Sequence, residues 1–287
     1  MVGALLWVVA VVAMLGAASY QRATGPTYPL RGEVAIGAAT VDYALVRSWT
    51  NTTDALVQVP DPGQDAAGYL VWRRYPTADP FERVALTAGD DGELVASLPR
   101  QPAAGKVEYY LELSTAAGEA RVPAVADDDP VLRFKAPVPA AALVPHVVLM
   151  FLAMLVGVRA GLGAAAGRPE SRRWAWAALG LMTVGGMILG PIVQKYAFGA
   201  YWTGWPLGYD LTDNKTLVMW LAWLGACGVL GVRAAEGRRR EAGRAAVVLA
   251  TVVMLVVYLI PHSMRGSELD YEQLERGVDP VEAIRTG

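Results

Sequence analysis

The sequence predicts an α-helical membrane bundle of about five transmembrane helices with an extracytoplasmic β-sandwich domain inserted into it. Two observations carry this prediction. Hydrophobic residues make up 54% of the 287-residue chain, and the mean hydropathy is +0.32. The apolar residues are unevenly spread, because long uncharged runs alternate with arginine clusters and with one polar block of roughly 110 residues.

Five apolar runs approach the roughly 20 residues that a bilayer crossing requires. They are residues 2–19, 143–160, 174–193, 217–232 and 245–261. We expect residues 1–20 to be an uncleaved N-terminal anchor rather than a removed signal peptide, because no basic segment precedes the run. The other four runs form a predicted four-helix membrane domain over residues 141–262, in which Gly185, Gly186 and Gly190 allow close helix approach.

The arginines predict the orientation of the chain, since Lys and Arg in short loops resist translocation. One group starts at the end of the second run and another follows the fourth: Arg159, Arg168, Arg172 and Arg173, then Arg233, Arg238, Arg239, Arg240 and Arg244. Both connections are therefore predicted to be cytoplasmic. The polar block, the loop 196–216 and the polar tail 263–287 then lie outside a bacterial cytoplasmic (inner) membrane.

The polar block, residues 21–140, has the pattern of a β domain, with short β-branched or aromatic runs between turn residues. Predicted strands are 41–47, 55–59, 69–74, 93–98, 107–114 and 131–135. Their number and spacing are typical of an immunoglobulin or fibronectin III-like sandwich. The block contains no histidine and no cysteine, so we expect a docking or spacing module rather than a catalytic domain.

Composition and motifs exclude several classes of function. A net charge of -2 gives no reason to expect a nucleic-acid partner. Cys227 is the single cysteine, so the chain has neither an intrachain disulfide nor a Cys-x-x-Cys-His site for covalent haem. No nucleophile–base pair or phosphate-binding glycine loop is present, which makes a carrier or electron-transfer role more expected than an enzyme.

The two histidines, His146 and His262, each follow a proline at the end of an apolar run. The predicted orientation places both on the outer side, with the aromatic loop 196–216 between them in sequence. The loop is interpretable either as a binding platform or as the aromatic belt that membrane proteins place at the headgroup level. Each Pro-His pair is likewise interpretable as a helix start or stop with a polar cap.

The loop also resembles a known family. The resemblance lies in Phe198-Gly199-Ala200-Tyr201-Trp202, in Tyr209-Asp210-Leu211-Thr212 and in the apolar helix with Trp220 and Trp223. Together they are similar to the tryptophan-rich "WWD" loop of the haem-handling membrane proteins of cytochrome c maturation, although Phe-Gly and Tyr-Asp stand where that family usually has Trp-Gly and Trp-Asp. In the smallest family members the loop lies on the outer face between the third and fourth helices. Two outer histidines flank it, and His146 and His262 match their positions.

The resemblance implies that the chain holds haem b at the outer face and passes it, or electrons, to a haem acceptor or cytochrome complex outside the membrane. An iron porphyrin needs axial imidazoles, a flat apolar slot and cations for its propionates. His146 and His262 are the candidate metal ligands. The other candidate cofactor-binding residues are Trp202, Trp205, Tyr209 and Asp210 in the loop, and Lys195, Lys215 and Arg265 as propionate partners.

Two alternatives from other classes stay open. One is a non-enzymatic accessory subunit whose β sandwich docks a partner while its helices anchor it in membrane lipid. The other is a small-solute transporter with a binding site at the outer loop. Asp213 and Asn214 have a simpler predicted role as N-caps of the fourth membrane helix.

Overall fold

The structure, a computed structural model, describes residues 2–37, 39–63, 65–232, 236–261 and 266–285. The chain divides into two compact units. The helical unit is built from residues 1–25 and 138–266, and the β unit from residues 26–137 and 267–285. Each unit therefore combines segments that lie far apart in sequence.

The helical unit consists mainly of long apolar helices. Its helices are α1 (Val2–Thr24), α2 (Ala140–Ala165), α3 (Ser171–Met182), α4 (Gly190–Phe198), α5 (Leu211–Leu230) and α6 (Gly237–Leu259). A π-helical segment, Thr183–Leu189, joins α3 to α4. Helix α4 ends at Gly199, whose φ of 85° is a left-handed conformation that glycine adopts without strain.

Four helices of the described chain are long and apolar enough to cross a membrane: α1, α2, the stretch Ser171–Phe198 and α6. They overlap four of the five predicted spans, of which 245–261 extends two residues beyond the end of α6. The fifth prediction, residues 217–232, falls on α5, whose first turns carry Asp213 and Lys215 and so lower its apolarity. By length and composition, the chain has the helices of a membrane protein.

Small residues let the helices of this unit approach closely. A Cβ added to Gly157 would lie 2.8 Å from Met254 Cε and 2.9 Å from Trp223 Cζ2. A Cβ on Gly161 would collide with the side chain of Thr251. Because lipid is as apolar as the helix surfaces, such close packing is a main source of helix association in membranes.

Arg159 is placed differently from the prediction, which assigned it to a polar connection after the second span. It lies inside α2 and is buried within the helical unit. The reason is that α2 continues through the small residues after Arg159 as far as Ala165, so the connection begins later than the arginine suggests.

The strands of the β unit before the helical segment are β1 (Leu30–Ile36), β2 (Ala39–Leu45), β3 (Ser48–Thr50), β4 (Ala55–Pro60), β5 (Ala67–Tyr75), β6 (Glu82–Ala85), β7 (Thr87–Ala88), β8 (Glu93–Leu98), β9 (Lys106–Thr115), β10 (Gly118–Val122) and β11 (Val131–Lys135). Among the described residues of this range they form three sheets. The largest has the order β3-β11-β9-β5-β6, with β10 also paired to β9, and the others are β4-β8-β7 and the hairpin β1-β2. All pairings are antiparallel except β3 with β11, which is parallel. Each of the six predicted strands overlaps an observed strand.

One hydrophobic core is shared by strands of all three sheets. Strand β9 shows how alternation builds it, since Val107, Tyr109, Leu111 and Leu113 are buried while the residues between them are partly exposed. The buried Tyr109 hydroxyl donates to Val46 O at 2.7 Å, so its polar atom is satisfied.

The polar tail after the helical unit is part of the β unit rather than a separate extension. It forms β12 (Glu268–Leu269), α7 (Tyr271–Glu275) and β13 (Ile284–Arg285). The buried Tyr271 hydroxyl donates to Lys106 O at 2.8 Å and accepts from Lys106 N at 3.0 Å. Lys106 also pairs with Glu268, and Arg74 pairs with Glu275. These contacts link the tail to β5 and β9.

Asp270 organises the tail itself. Its carboxylate accepts from the backbone N–H groups of Glu272 and Gln273, which caps α7, and it pairs with Arg285 on β13. Burial alone would raise the pKa of Asp270, but the Gln273 N–H and the Arg285 guanidinium outweigh it and hold this pKa below its ordinary value. The folded chain therefore favours the ionised carboxylate.

We predict that Tyr271→Phe lowers the free energy of unfolding of the β unit by about 1–3 kcal/mol, because the ring stays while the partner of two Lys106 backbone groups is lost. The measurement is the thermal unfolding of the full chain in detergent, followed by circular dichroism at the β signal. Tyr69→Phe is the matched control, since Tyr69 lies on β5, the strand that pairs with β9, and is exposed. Equal melting of Tyr271→Phe and wild type would refute the role given to this hydroxyl.

We also predict that the Asp270 carboxylate makes the tail sensitive to acid. Its pKa is depressed on folding, so its contribution is present above the ordinary Asp pKa and is lost as the pH falls through the folded value. Asp270→Asn keeps a capping oxygen but removes the charge, and should melt below wild type at pH 7. The difference should disappear at pH values below the folded pKa, and a difference that is independent of pH would contradict the ionic contribution.

Candidate functional site

His146 lies in the second turn of α2 and is half-buried. Its Nδ1 is 2.8 Å from the carbonyl oxygen of Gly185. A carbonyl only accepts, so Nδ1 carries the proton, and the neutral ring keeps its lone pair on Nε2. A histidine that binds a metal through Nε2 is commonly oriented by this kind of Nδ1–H bond to a backbone carbonyl.

The acceptor belongs to the π-helical segment Thr183–Leu189. Two glycines place this segment between α2 and α5. A Cβ on Gly185 would lie 2.9 Å from Leu149 Cβ, and a Cβ on Gly186 would lie 2.9 Å from Thr216 Cγ2. Sequence reasoning noted these glycines as packing residues but missed the π geometry, which is frequent at functional sites.

The aromatic loop is fixed from inside by Asp213, a buried residue of the first turn of α5. Its Oδ2 accepts from Thr203 N at 2.6 Å and from Gly204 N at 3.0 Å. Thr203 Oγ1 also lies 3.3 Å from this oxygen, and Gln194 Nε2 on α4 donates to Thr203 Oγ1 at 2.5 Å. The two helices that flank the loop therefore hold its middle.

The second half of the loop is held by Asn214 and by a tight turn. Asn214 Oδ1 accepts from Trp205 N at 2.7 Å, and the Trp205–Pro206 peptide is cis. Gly204 O accepts from Leu207 N and Gly208 N at 2.9 Å each. The Trp202 indole donates to Trp205 O at 3.1 Å, so the candidate residue Trp202 also supports the turn.

The loop presents large side chains to its surroundings although its backbone is well tied. Tyr201 is 60% exposed, Trp205 63%, Leu207 70% and Tyr209 74%. Apolar side chains exposed together on an ordered loop indicate a surface for interaction with lipid, a partner or a flat ligand.

The prediction that Asp213 or Asn214 caps α5 is wrong. Helix α5 begins at Leu211, and Asp210 is its N-cap, accepting from Thr212 N at 2.8 Å and from Asp213 N at 3.3 Å. The helix therefore starts earlier than predicted, which frees Asp213 and Asn214 for the loop. The candidate residue Asp210 is buried and also lies against the backbone of Gly266.

The two candidate lysines occupy different environments. Lys195 is exposed on α4, donates to Gly199 O at 2.5 Å and lies 5.5 Å from the centroid of the Tyr201 ring. Lys215 is buried in α5 and donates to Ile260 O. Lys215 therefore ties the end of α6 to the start of α5.

The candidate residues His262 and Arg265 lie outside the described residues. The chain on either side of them is described, and both ends meet the start of α5. Ile260 is bonded to Lys215, and Gly266 abuts Asp210. Within the described ranges, no group of three or more His, Cys, Asp or Glu side chains is arranged to hold a metal ion.

The arrangement around His146 fits an axial haem ligand in one respect: the hydrogen bond from Nδ1 to Gly185 O orients the ring and leaves Nε2 without a role in that bond. Gly190 lies beside the ring, since a Cβ there would be 3.7 Å from His146 Cε1, within ordinary van der Waals contact. Lys215 does not fit as a propionate partner, because its ammonium group is directed to a backbone carbonyl inside the protein.

Comparison with known proteins gives no family assignment. No protein-family model matches the chain, and no curated protein has a detectably similar sequence.

We predict that Asp213→Ala loosens the aromatic loop by about 1–3 kcal/mol, because the acceptor of the Thr203 and Gly204 N–H groups is removed. Chymotrypsin cleavage of the detergent-solubilised chain at Tyr201, Trp205 or Tyr209 should then become about tenfold faster or more, as local opening controls access. Tyr201→Phe is the control, since it keeps the cleavage sites and the Asp213 bonds. An unchanged cleavage rate in Asp213→Ala would exclude this carboxylate as the main support of the loop.

Proposed function

We propose that the chain is a haem-binding or haem-handling integral membrane protein related to cytochrome c biogenesis, which holds haem b between His146, His262 and the aromatic loop. The observation that carries the proposal is the hydrogen bond from His146 Nδ1 to Gly185 O, because it leaves Nε2 as the basic nitrogen. A histidine that served only as a helix-end cap would not need an ordered partner 39 residues away in sequence.

The fixed backbone and exposed aromatic side chains of the loop support the same proposal. Its backbone is held by Asp213 and Asn214, while Trp205 and Tyr209 remain exposed. Aromatic side chains on a fixed backbone lose less conformational entropy on contact with a flat ligand than they would on a mobile loop. Trp202 differs, since its indole N–H is engaged with Trp205 O, and we assign it to supporting the platform.

The proposed role of His262 is supported by the described residues on either side of it in sequence. Ile260 and Gly266 are both tied to the first turns of α5, and Thr216 of α5 packs on the π-helical segment that receives His146. The chain segment that carries His262 thus begins and ends at the same end of the helical unit as His146. We propose this end as the ligand-binding end.

The proposal also includes the membrane arrangement of the helices and the type of the β domain. We infer that the four apolar helices and α5 form a bundle in a bacterial cytoplasmic membrane, with the aromatic loop and the β unit on the outer side. The sheets β3-β11-β9-β5-β6 and β4-β8-β7 share one core. Their division supports an immunoglobulin-type sandwich, in which a three-strand sheet faces a larger one. A haem acceptor or cytochrome complex outside the membrane is the proposed partner.

The test compares absorption spectra of the full chain in detergent after haem loading, in the oxidised and dithionite-reduced states. His146→Asn keeps a side-chain N–H near the Nδ1 position but removes Nε2. We expect it to fold like wild type, as judged by its melting temperature, while its haem affinity falls about 10- to 100-fold or more. His262→Ala should weaken the same reduced bands.

The control is Tyr196→Phe, an exposed substitution on α4 that leaves the histidines intact. Wild-type protein that binds no haem would refute the proposal. Spectra of His146→Asn and His262→Ala that match wild type would refute the assignment of the two ligands.

A second candidate function is that of an accessory subunit that docks a partner, and the exposed loop favours it. Tyr201, Trp205, Leu207 and Tyr209 form an apolar surface on a firm backbone, as a protein interface requires. This candidate expects Trp205→Ala with Tyr209→Ala to abolish co-purification of a partner while replacement of either histidine has no effect.

A further inference from the structure

Arg159 is a buried cation in a helix that is long and apolar enough to span a membrane. Its side chain is 3% exposed, and α2 continues beyond it to Ala165. The rise of an α-helix places it about 20 Å along α2 from His146. Arg159 therefore lies towards the end of the helical unit that is opposite to the aromatic loop.

The Glu170 carboxylate, which lies near Arg159, accepts from only one of the guanidinium nitrogens. Arg159 Nη2 is 3.5 Å from Glu170 Oε1, and the same oxygen accepts from Arg168 Nε at 3.1 Å. Arg159 Nε and Nη1 are buried without a hydrogen-bond partner. One carboxylate is thus shared by two guanidinium groups, which leaves positive charge and free donors inside the protein.

The other unsatisfied donors lie on the adjoining helix. Arg172 Nη1 and Trp174 Nε1, both in the first turn of α3, are also buried without a partner. Arg159 and Trp174 share a neighbour in α1: the Arg159 guanidinium carbon lies 5.6 Å from the Trp7 ring centroid, and the rings of Trp7 and Trp174 are 5.0 Å apart. Among the described residues of the helical unit, the buried side-chain atoms without a partner are these four N–H donors.

Buried donors without acceptors are costly, so several of them at one end of the helical unit, beside a carboxylate shared by two guanidinium groups, favour an acceptor-rich anion. A phosphate group offers several strong acceptor oxygens and matches the planar fork of arginine. We propose that this end of the helical unit binds a phosphate group through Arg159, Arg172 and Trp174. The ligand class is the headgroup of an anionic phospholipid or a free phosphate ion, and the site is independent of the haem proposal.

A lipid headgroup is the source that suits a membrane helix. Basic pockets between helices near one membrane surface are known to take anionic headgroups, and arginines near helix ends extend towards the headgroup level. Arg244 caps the C-terminal end of α2, the end near Arg159. Its Nε donates to Ala164 O at 2.8 Å and its Nη2 to Ala165 O at 3.3 Å.

The experiment uses the full chain, delipidated in an uncharged detergent. Its melting temperature is followed during titration with phosphatidylglycerol or phosphatidylcholine, and separately with sodium phosphate or sodium chloride at equal ionic strength. Ligand binding to the folded state raises the melting temperature in a concentration-dependent way. Stabilisation by phosphatidylglycerol alone identifies a lipid headgroup, and stabilisation by phosphate over chloride identifies a free phosphate; both support the site.

Variants locate the effect. Trp174→Phe keeps the ring against Trp7 but removes the donor, and should weaken binding of phosphatidylglycerol or phosphate about tenfold or more. Arg172→Gln should act in the same direction. Trp176→Phe on the same helix is the matched control, because the Trp176 indole already donates to Gly231 O at 3.4 Å.

Arg159→Gln tests the central cation, and Trp174→Phe and Arg172→Gln decide the question if that variant does not fold. The proposal is overturned if phosphatidylglycerol stabilises no more than phosphatidylcholine and phosphate no more than chloride. It is equally overturned if Trp174→Phe and Arg172→Gln bind as tightly as wild type.

Discussion

A polar group buried in the helical unit needs a partner, because apolar surroundings supply none and an unpaired group costs several kcal/mol. This constraint explains the loop, where Asp213 and Asn214 accept from backbone N–H groups that no helix satisfies. It also explains why Lys215 is directed to Ile260 O. The polar residues at the start of α5 thus tie together the loop and the end of α6.

The same constraint indicates which nitrogen of His146 the protein itself uses. Its Nδ1 proton is used by Gly185 O within the unit, while its other nitrogen is the one suited to a ligand. At the opposite end, Arg159 has more donors than nearby acceptors. The phosphate site is proposed from buried donors that the protein does not satisfy, and the haem ligand from the nitrogen that the Gly185 bond leaves unused.

The β unit is held together by a hydrophobic core. Alternate residues along its strands are buried in that core. The tail that follows the helical unit completes it through Tyr271, Glu268 and Glu275, which contact β5 and β9. The β unit is therefore assembled from residues on both sides of the helical segment in sequence, and we expect its folding to depend on both.

The sequence by itself determined the elements whose signals are local. Hydropathy located four helices that meet the length and apolarity of a membrane span, and short β-branched or aromatic runs between turn residues located six strands, because both signals lie in neighbouring residues. Only the tertiary structure decided the rest. The N-cap at Asp210, the Gly185 partner of His146 and the burial of Arg159 depend on contacts between residues distant in sequence or on where a helix ends. The docking of Tyr271 on Lys106 is the clearest case, since 165 residues separate the two partners and neither lies in a pattern that predicts the other.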